Sequence, residues 1–265
     1  MDYTTIALER REGFAEVALN RPESRNAINE QMSEELMACL TELDRDEDIA
    51  AVVLSGNGPV FSAGHDLYEV AEDLAEGRMP REFLFGERSL QERVWEIGTP
   101  IIGAVQGYLG PHALYLMSSF DMIVATETTR FSFEQGRVSG AGSDPRITFQ
   151  IGALRHKKWR LLGEVIDAQT AEQWGLVNAV VSDDELLPTA RAWATRLARV
   201  PRLNSRLNKQ SINNQYEHFG IPAMQRHQQS FIQQGHGSEQ DREFFRTVLD
   251  AGLREALKTR PDEGA

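Results

Sequence analysis

The chain has 265 residues, 28 Lys and Arg against 40 Asp and Glu, and a formal charge of −12, which disfavours a general nucleic-acid surface because phosphate binding draws on excess cations. Mean hydropathy is −0.41, and no apolar run approaches the roughly 18–20 residues of a membrane helix. The single cysteine, Cys39, excludes an intrachain disulfide and a Cys-based zinc cluster.

The opening MDYTTIALER has neither a basic, apolar signal pattern nor an Arg/Ser-rich one, so the expected location is cytoplasmic. Thr5 to Arg10 and Phe14 to Leu19 are rich in β-forming residues and flank the turn-like Arg11-Glu12-Gly13. After Arg21-Pro22-Glu23-Ser24, the spacing of Ile28, Met32, Leu36, Leu40 and Leu43 predicts a helix. Asp44, Asp46 and Asp48 lack the glycine and terminal Glu of a calcium loop and read as a helix-end turn. Ala50 to Leu54 reads as a buried strand, ended by Ser55-Gly56-Asn57-Gly58-Pro59. A helix around Leu90, Val94 and Ile97 precedes Pro100, a strand from Ile101 to Val105, a Gly-containing loop, a helical stretch to Phe120 and a strand from Met122 to Ala125. Strands alternating with helices predict an α/β core. From about Ala168 onward the pattern reads as almost wholly helical, with Trp193 and Leu197 on one helix face. Phe244, Phe245, Val248, Leu249 and Leu253 form an apolar stripe for packing on the core or a neighbouring subunit. The tail from Arg260 to Ala265 is expected to fray.

No P-loop, G-x-G-x-x-G, G-x-S-x-G or H-E-x-x-H pattern is present. The six histidines, at 65, 112, 156, 218, 227 and 236, are not spaced as a metal set, and His218 and His227 read as surface residues. Two loops share one physical form. Phe61-Ser62-Ala63-Gly64-His65-Asp66-Leu67 and Gln106-Gly107-Tyr108-Leu109-Gly110-Pro111-His112 each follow a buried strand and open a helix. Helix N-termini carry unpaired N–H groups, and Pro111 suits the first helical position while leaving the His112 amide free. Two such amides converging would stabilise charge on a carbonyl oxygen, though strand–loop–helix is also the ordinary α/β unit.

At these loops the sequence resembles the crotonase (enoyl-CoA hydratase/isomerase) superfamily over nearly its whole length. Leu19-Asn20-Arg21-Pro22 with Asn26-Ala27, the loop Phe61 to Leu67, the segment Val105 to Asp121, and Ala168-Gln169-Thr170-Ala171 with Gly175-Leu176-Val177 carry the resemblance. It implies an α/β fold, a crotonase-like spiral of ββα units over 1–200, with a helical C-terminal trimerisation region over 201–265. It also implies homotrimers or dimers of trimers, no nucleic-acid or membrane partner, and an acyl-CoA or other small carbonyl substrate. Coenzyme A enters as part of the substrate, with no tightly bound cofactor and no metal. By position, the amides of His65 and His112 are the oxyanion donors, and Arg25, Ala63, His65, Asp66 and Leu67 line the CoA site.

The family's two glutamates are where this sequence departs. The first position falls on Tyr115 and the second on Gln135, beside Glu134, with a shortened loop from Val138 to Asp144. Glu134 or Asp144 could supply a carboxylate; Ser143-Asp144-Pro145 is equally a helix cap. A phenol titrating near pH 10 is a poor base but a hydrogen-bond donor, and the imidazoles of His65 and His112 could also reach the site. The candidate catalytic set is therefore His65, His112, Tyr115, Glu134 and Asp144. The C-terminal cations usual for CoA are displaced, with Ala251 and Gly252 near their positions and Arg254 and Lys258 as substitutes one turn later. Three functions are compatible: a hydratase/isomerase-type enzyme stabilising a thioester enolate, a CoA-independent C–C hydrolase of β-diketones, or a non-catalytic acyl-CoA-binding or scaffold member.

Overall fold

A strand with one wet face alternates apolar and polar residues, whereas Ala51 to Leu54 and Ile101 to Val105 are apolar at nearly every position, as in a sheet covered on both sides. The structure, a computed structural model that describes residues 3–78, 89–134, 142–236 and 238–259, has that arrangement. Strands β1 (Ile6–Arg11) and β2 (Phe14–Leu19) form an antiparallel pair. They are followed by α1 (Glu30–Arg45), β3 (Ala51–Gly56), α2 (Leu67–Ala75), α3 (Leu90–Glu96), β4 (Ile101–Val105), β5 (Tyr108–Leu109), α4 (Pro111–Met117), β6 (Met122–Thr126) and β7 (Arg130–Ser132). Then come α5 (Pro145–Ile151), α6 (Ala153–Leu162), β8 (Val165–Asp167), α7 (Ala168–Trp174), β9 (Ala179–Val181), α8 (Leu186–Ala198), α9 (Arg202–His218), α10 (Ile221–His236), α11 (Glu239–Ala251) and α12 (Leu253–Ala256).

The main sheet runs β1-β2-β3-β4-β6-β9, parallel from β2 onward, and a smaller sheet runs β5-β7-β8. Two turns of chain give one strand to each sheet before a helix: β4, β5, α4, and then β6, β7, α5. This is the ββα repeat of the crotonase fold. Successive side chains point to opposite faces, so Val52, Leu54, Ile101 and Val105 enter a core with α1 and α4, while Val53, Ile102, Ala104 and Val124 pack with Leu186, Ala190 and Ala194 of α8.

Four short strands, β5, β7, β8 and β9, escape the sequence reading. β5 and β7 have two and three residues, and β9 lies inside the stretch read as almost wholly helical. Such strands are too short to show a period of two, and tertiary pairing creates them: β9 completes the main sheet against β6. The Asp44–Asp48 segment is a helix end, with the Asp48 amide donating to Asp46 Oδ1 at 3.0 Å. His218 and His227 are exposed. The C-terminal stripe splits: Phe244, Phe245 and Val248 are buried in the core of this same chain, while Leu249 is 42% exposed. Residues 260–265 lie outside the described set. Among the described residues no helix is long and apolar enough to cross a membrane.

The helical region is bolted to the sheet by buried charge. Lys209 of α9 donates to Asp121 Oδ2 at 2.7 Å, and that oxygen also accepts the Ile101 amide at 2.7 Å. A second, deeper cluster joins α3, α5 and α10. Arg146 Nη2 reaches Asp144 Oδ2 at 2.7 Å and Glu92 Oε1 at 2.8 Å, and Glu92 also accepts from Gln225 Nε2 at 2.6 Å. One guanidinium serves two carboxylates, so burial, with Asp144 adding to it and Arg146 opposing, pushes Glu92 up to about 7 from 4.5. Glu92 then holds its proton more tightly folded than unfolded, so its contribution to stability is present below pH 4.5 and is lost as pH rises through 7. Glu92→Gln keeps the acceptor and removes the charge. It is expected to flatten the pH dependence of unfolding between pH 5 and 8, and to stabilise the fold at pH 8 by ~1–3 kcal/mol. Urea titrations at the two pH values check this; a variant less stable than the parent at pH 8 would contradict it.

Candidate active site

The two oxyanion-type loops meet. Gly64 has φ +102°, and a Cβ built on it would lie 3.4 Å from His112 Cβ and 3.6 Å from each of the His112 and Ala113 amide nitrogens. Gly110 faces back: its Cβ would come within 2.7 Å of the Ala63 carbonyl oxygen. Bare backbone on both sides is what lets the loops approach. Pro111 opens α4, and the first bond across the turn is Leu114 N–H to Gly110 at 3.0 Å. The His112 and Ala113 amides therefore fall in the turn where no helical carbonyl reaches them. On the other loop, Ile28 pairs in parallel with His65 through the Gly64 carbonyl and the Asp66 amide, at 2.8 and 3.0 Å. That register turns the His65 amide to the opposite side of its strand.

The imidazoles of His65 and His112 stack, with ring centroids 3.6 Å apart and planes 20° from parallel. Burial pushes His112 down to about 3, so its ring is neutral at physiological pH.

Beside these loops lies a cleft of about 680 Å³, lined by all five residues expected at the CoA site: Arg25, Ala63, His65, Asp66 and Leu67. Arg25 (φ +54°) and Asn26 (φ +51°) are both left-handed, an uncommon state for Arg. The turn is held because Asn26 Nδ2 donates to the Asn57 and Val60 carbonyls, both at 2.9 Å, while the Arg25 carbonyl accepts the Ala63 amide at 2.9 Å. Asp66 is committed to Arg21 Nη1 at 3.0 Å. The far wall is C-terminal: Leu253, Arg254 and Leu257 line the cleft, and the Leu253 amide donates to Tyr68 Oη at 3.2 Å. Arg254 thus faces the cleft, whereas Lys258 pairs with Glu255.

The remaining expected residues separate. Glu134 is half-buried. Its Oε2 accepts from Tyr108 Oη at 2.7 Å and from Ser132 Oγ at 3.3 Å, and Tyr108 lines the cleft. Asp144 is fully buried. It caps α5 through the Arg146 amide at 2.8 Å, and its carboxylate also takes the Arg146 guanidinium and Ser118 Oγ at 2.9 Å. Of the two roles open to it in the sequence, the cap is formed. Tyr115 is buried behind the loops with its hydroxyl 3.4 Å from the Gly142 carbonyl; burial raises its pKa and Arg160 opposes that. Gln135 lies outside the described residues. Sequence reasoning missed Tyr108 and Tyr68; the one usable signal was an aromatic placed directly after Gly107 in a glycine-rich loop. No group of three or more His, Cys, Asp or Glu able to hold a metal occurs among the described residues.

The model of the family "Enoyl-CoA hydratase/isomerase" matches residues 9–247. A probable enoyl-CoA hydratase of Mycobacterium leprae is 34% identical over 220 residues, covering 82% of this chain and 84% of that one. The 2,3-dehydroadipyl-CoA hydratase of Escherichia coli is 34% identical over 217 residues, covering 80% and 83%. The crystal structure of an enoyl-CoA hydratase/isomerase from Xanthobacter autotrophicus Py2 superposes with a TM-score of 0.84 at 27% identity, over 97% of each chain.

Proposed function

This chain belongs to the enoyl-CoA hydratase/isomerase family, as an enzyme of that type acting on CoA thioesters, and we propose that it does so by holding the thioester oxygen between the amides of His65 and His112. The observation that carries the proposal is the close approach of Gly64, which has no side chain of its own, to the His112 and Ala113 amides at the start of α4. Such donors act on charge that develops in the transition state, here the enolate oxygen.

Arg25 and Arg254 on the cleft walls suit the phosphates of CoA, in a chain whose net charge is otherwise unfavourable to anions. For proton transfer we assign Glu134, acting at the cleft through the Tyr108 hydroxyl, in preference to Asp144, whose carboxylate is occupied by Arg146. The His112 ring, neutral and stacked, shapes the hole and works through its backbone. Assembly as trimers or dimers of trimers accompanies this reading as a proposal drawn from the family resemblance. Burial lowers the His112 pKa and so weakens its ring as the base that the CoA-free hydrolase alternative would use.

Turnover of an enoyl-CoA ester by the purified protein tests the reading, followed by two variants. His112→Gly retains the amide and is expected to keep kcat within about tenfold. Glu134→Gln is expected to lower kcat about 100-fold or more, the usual scale for a general acid or base. The reverse ranking would transfer the chemistry to the imidazole.

A further inference from the structure

A second cavity, of about 540 Å³, lies among α5, α6 and α10 and includes Gly142, Lys157, Arg160 and Phe231 in its lining. Its charged lining is cationic. Lys157 and Arg160 face it with His156, and no carboxylate does among the described residues, in a chain where acids outnumber bases 40 to 28. Arg160 Nε donates to the Gly142 carbonyl at 3.3 Å, and its guanidinium lies 5.2 Å from the centroid of the Phe133 ring. His156 is buried, with Nδ1 2.7 Å from Thr148 Oγ1, while Nε2 has no hydrogen-bond partner. Burial, aided by Arg160, pushes this ring down to about 4 and keeps it neutral. Nε2 is thus a buried polar atom left unmatched within the protein.

The cavity lies beyond Tyr115 from the oxyanion loops. Tyr115 follows His112 by three residues, about 4.5 Å of helical rise. Its hydroxyl meets the Gly142 carbonyl that Arg160 also holds. Helix α4 therefore leads from the oxyanion loops to the cationic cavity. A carboxylate matches the fork of a guanidinium, whereas an alkyl tail offers it no hydrogen bond.

We infer that this cavity binds a carboxylate at the distal end of the acyl chain, through Arg160 and Lys157, so that the preferred substrates are CoA monoesters of unsaturated dicarboxylic acids. The inference rests on the acyl-CoA reading above. The test is kcat/KM for ω-carboxy enoyl-CoA esters of increasing length, each against the uncharged ester of equal length, in the parent, Arg160→Met and Lys157→Ala. The expected parent ratio exceeds about 10, the scale of one charge-assisted hydrogen bond. It should fall towards 1 in Arg160→Met, mainly through KM, and several-fold in Lys157→Ala. Lys157 is exposed, so its variant keeps the test alive if Arg160→Met folds poorly. A parent ratio near or below 1 overturns the inference and leaves the acyl-CoA reading intact. So does a high ratio that both variants preserve. If no CoA ester of either kind is turned over, the acyl-CoA reading falls and the inference with it.

Discussion

Gly64→Ala is expected to lower kcat for an enoyl-CoA ester by ~100–1000-fold, the range seen when an oxyanion donor is lost. Two effects act together. At φ +102° an L-residue is strained, so the loop will rotate and carry the His65 amide off its line. A methyl group that stayed in place would sit 3.6 Å from the His112 and Ala113 nitrogens, inside the proposed oxyanion hole. The fold itself should survive, since a Cβ at this point meets His112 Cβ at 3.4 Å, an ordinary contact. Steady-state kinetics beside a thermal melt separate the two losses. A folded variant that retains more than a tenth of the parent kcat would remove the oxyanion hole from this site.

Arg146→Met is expected to destabilise the fold by ~3–5 kcal/mol, because it leaves Asp144 and Glu92 buried without their shared cation. The guanidinium is 1% exposed and bridges α5 to α3, and through Glu92 and Gln225 to α10. Adding Glu92→Met and Asp144→Asn to Arg146→Met removes the stranded charge and keeps a capping side chain on α5, so most of the loss should be recovered. Urea midpoints for the single and triple variants decide the matter. A single variant that costs under 1 kcal/mol would mean the cluster is hydrated and not a buried ion triad.

What was legible in the sequence was whatever a short run of residues fixes locally. β2 and β4 have the bounds their composition suggests: β4 is buried on both faces and apolar throughout, while β2 carries Glu16 on a partly covered face. The cleft residues Arg25, Ala63, His65, Asp66 and Leu67 come together because two glycine-bearing loops impose the approach, and those loops are visible as motifs. Asp144 was not decidable, since a cap and a catalytic carboxylate both sit well before Pro145; its fate depends on Arg146 and Ser118, the latter 26 residues earlier. Tyr108 and Glu134 meet only because β5 and β7 pair, and strands of two and three residues carry no periodic signature. The cationic cavity is drawn from α5, α6 and α10, spread over some 90 residues, so no local pattern announces it.

The cleft wall that Tyr68 pins through the Leu253 amide has a consequence for how the molecule matures. Arg25 and Arg254 face one another's cleft from nearly opposite ends of the polypeptide, and closing so long a loop is among the slower events of folding. Substrate affinity is therefore expected to recover late in refolding. A ligand spanning both walls acts as a clasp between the two ends: its binding energy also holds α12 against α2, and occupancy by substrate will protect the C-terminal helices from fraying and from proteases.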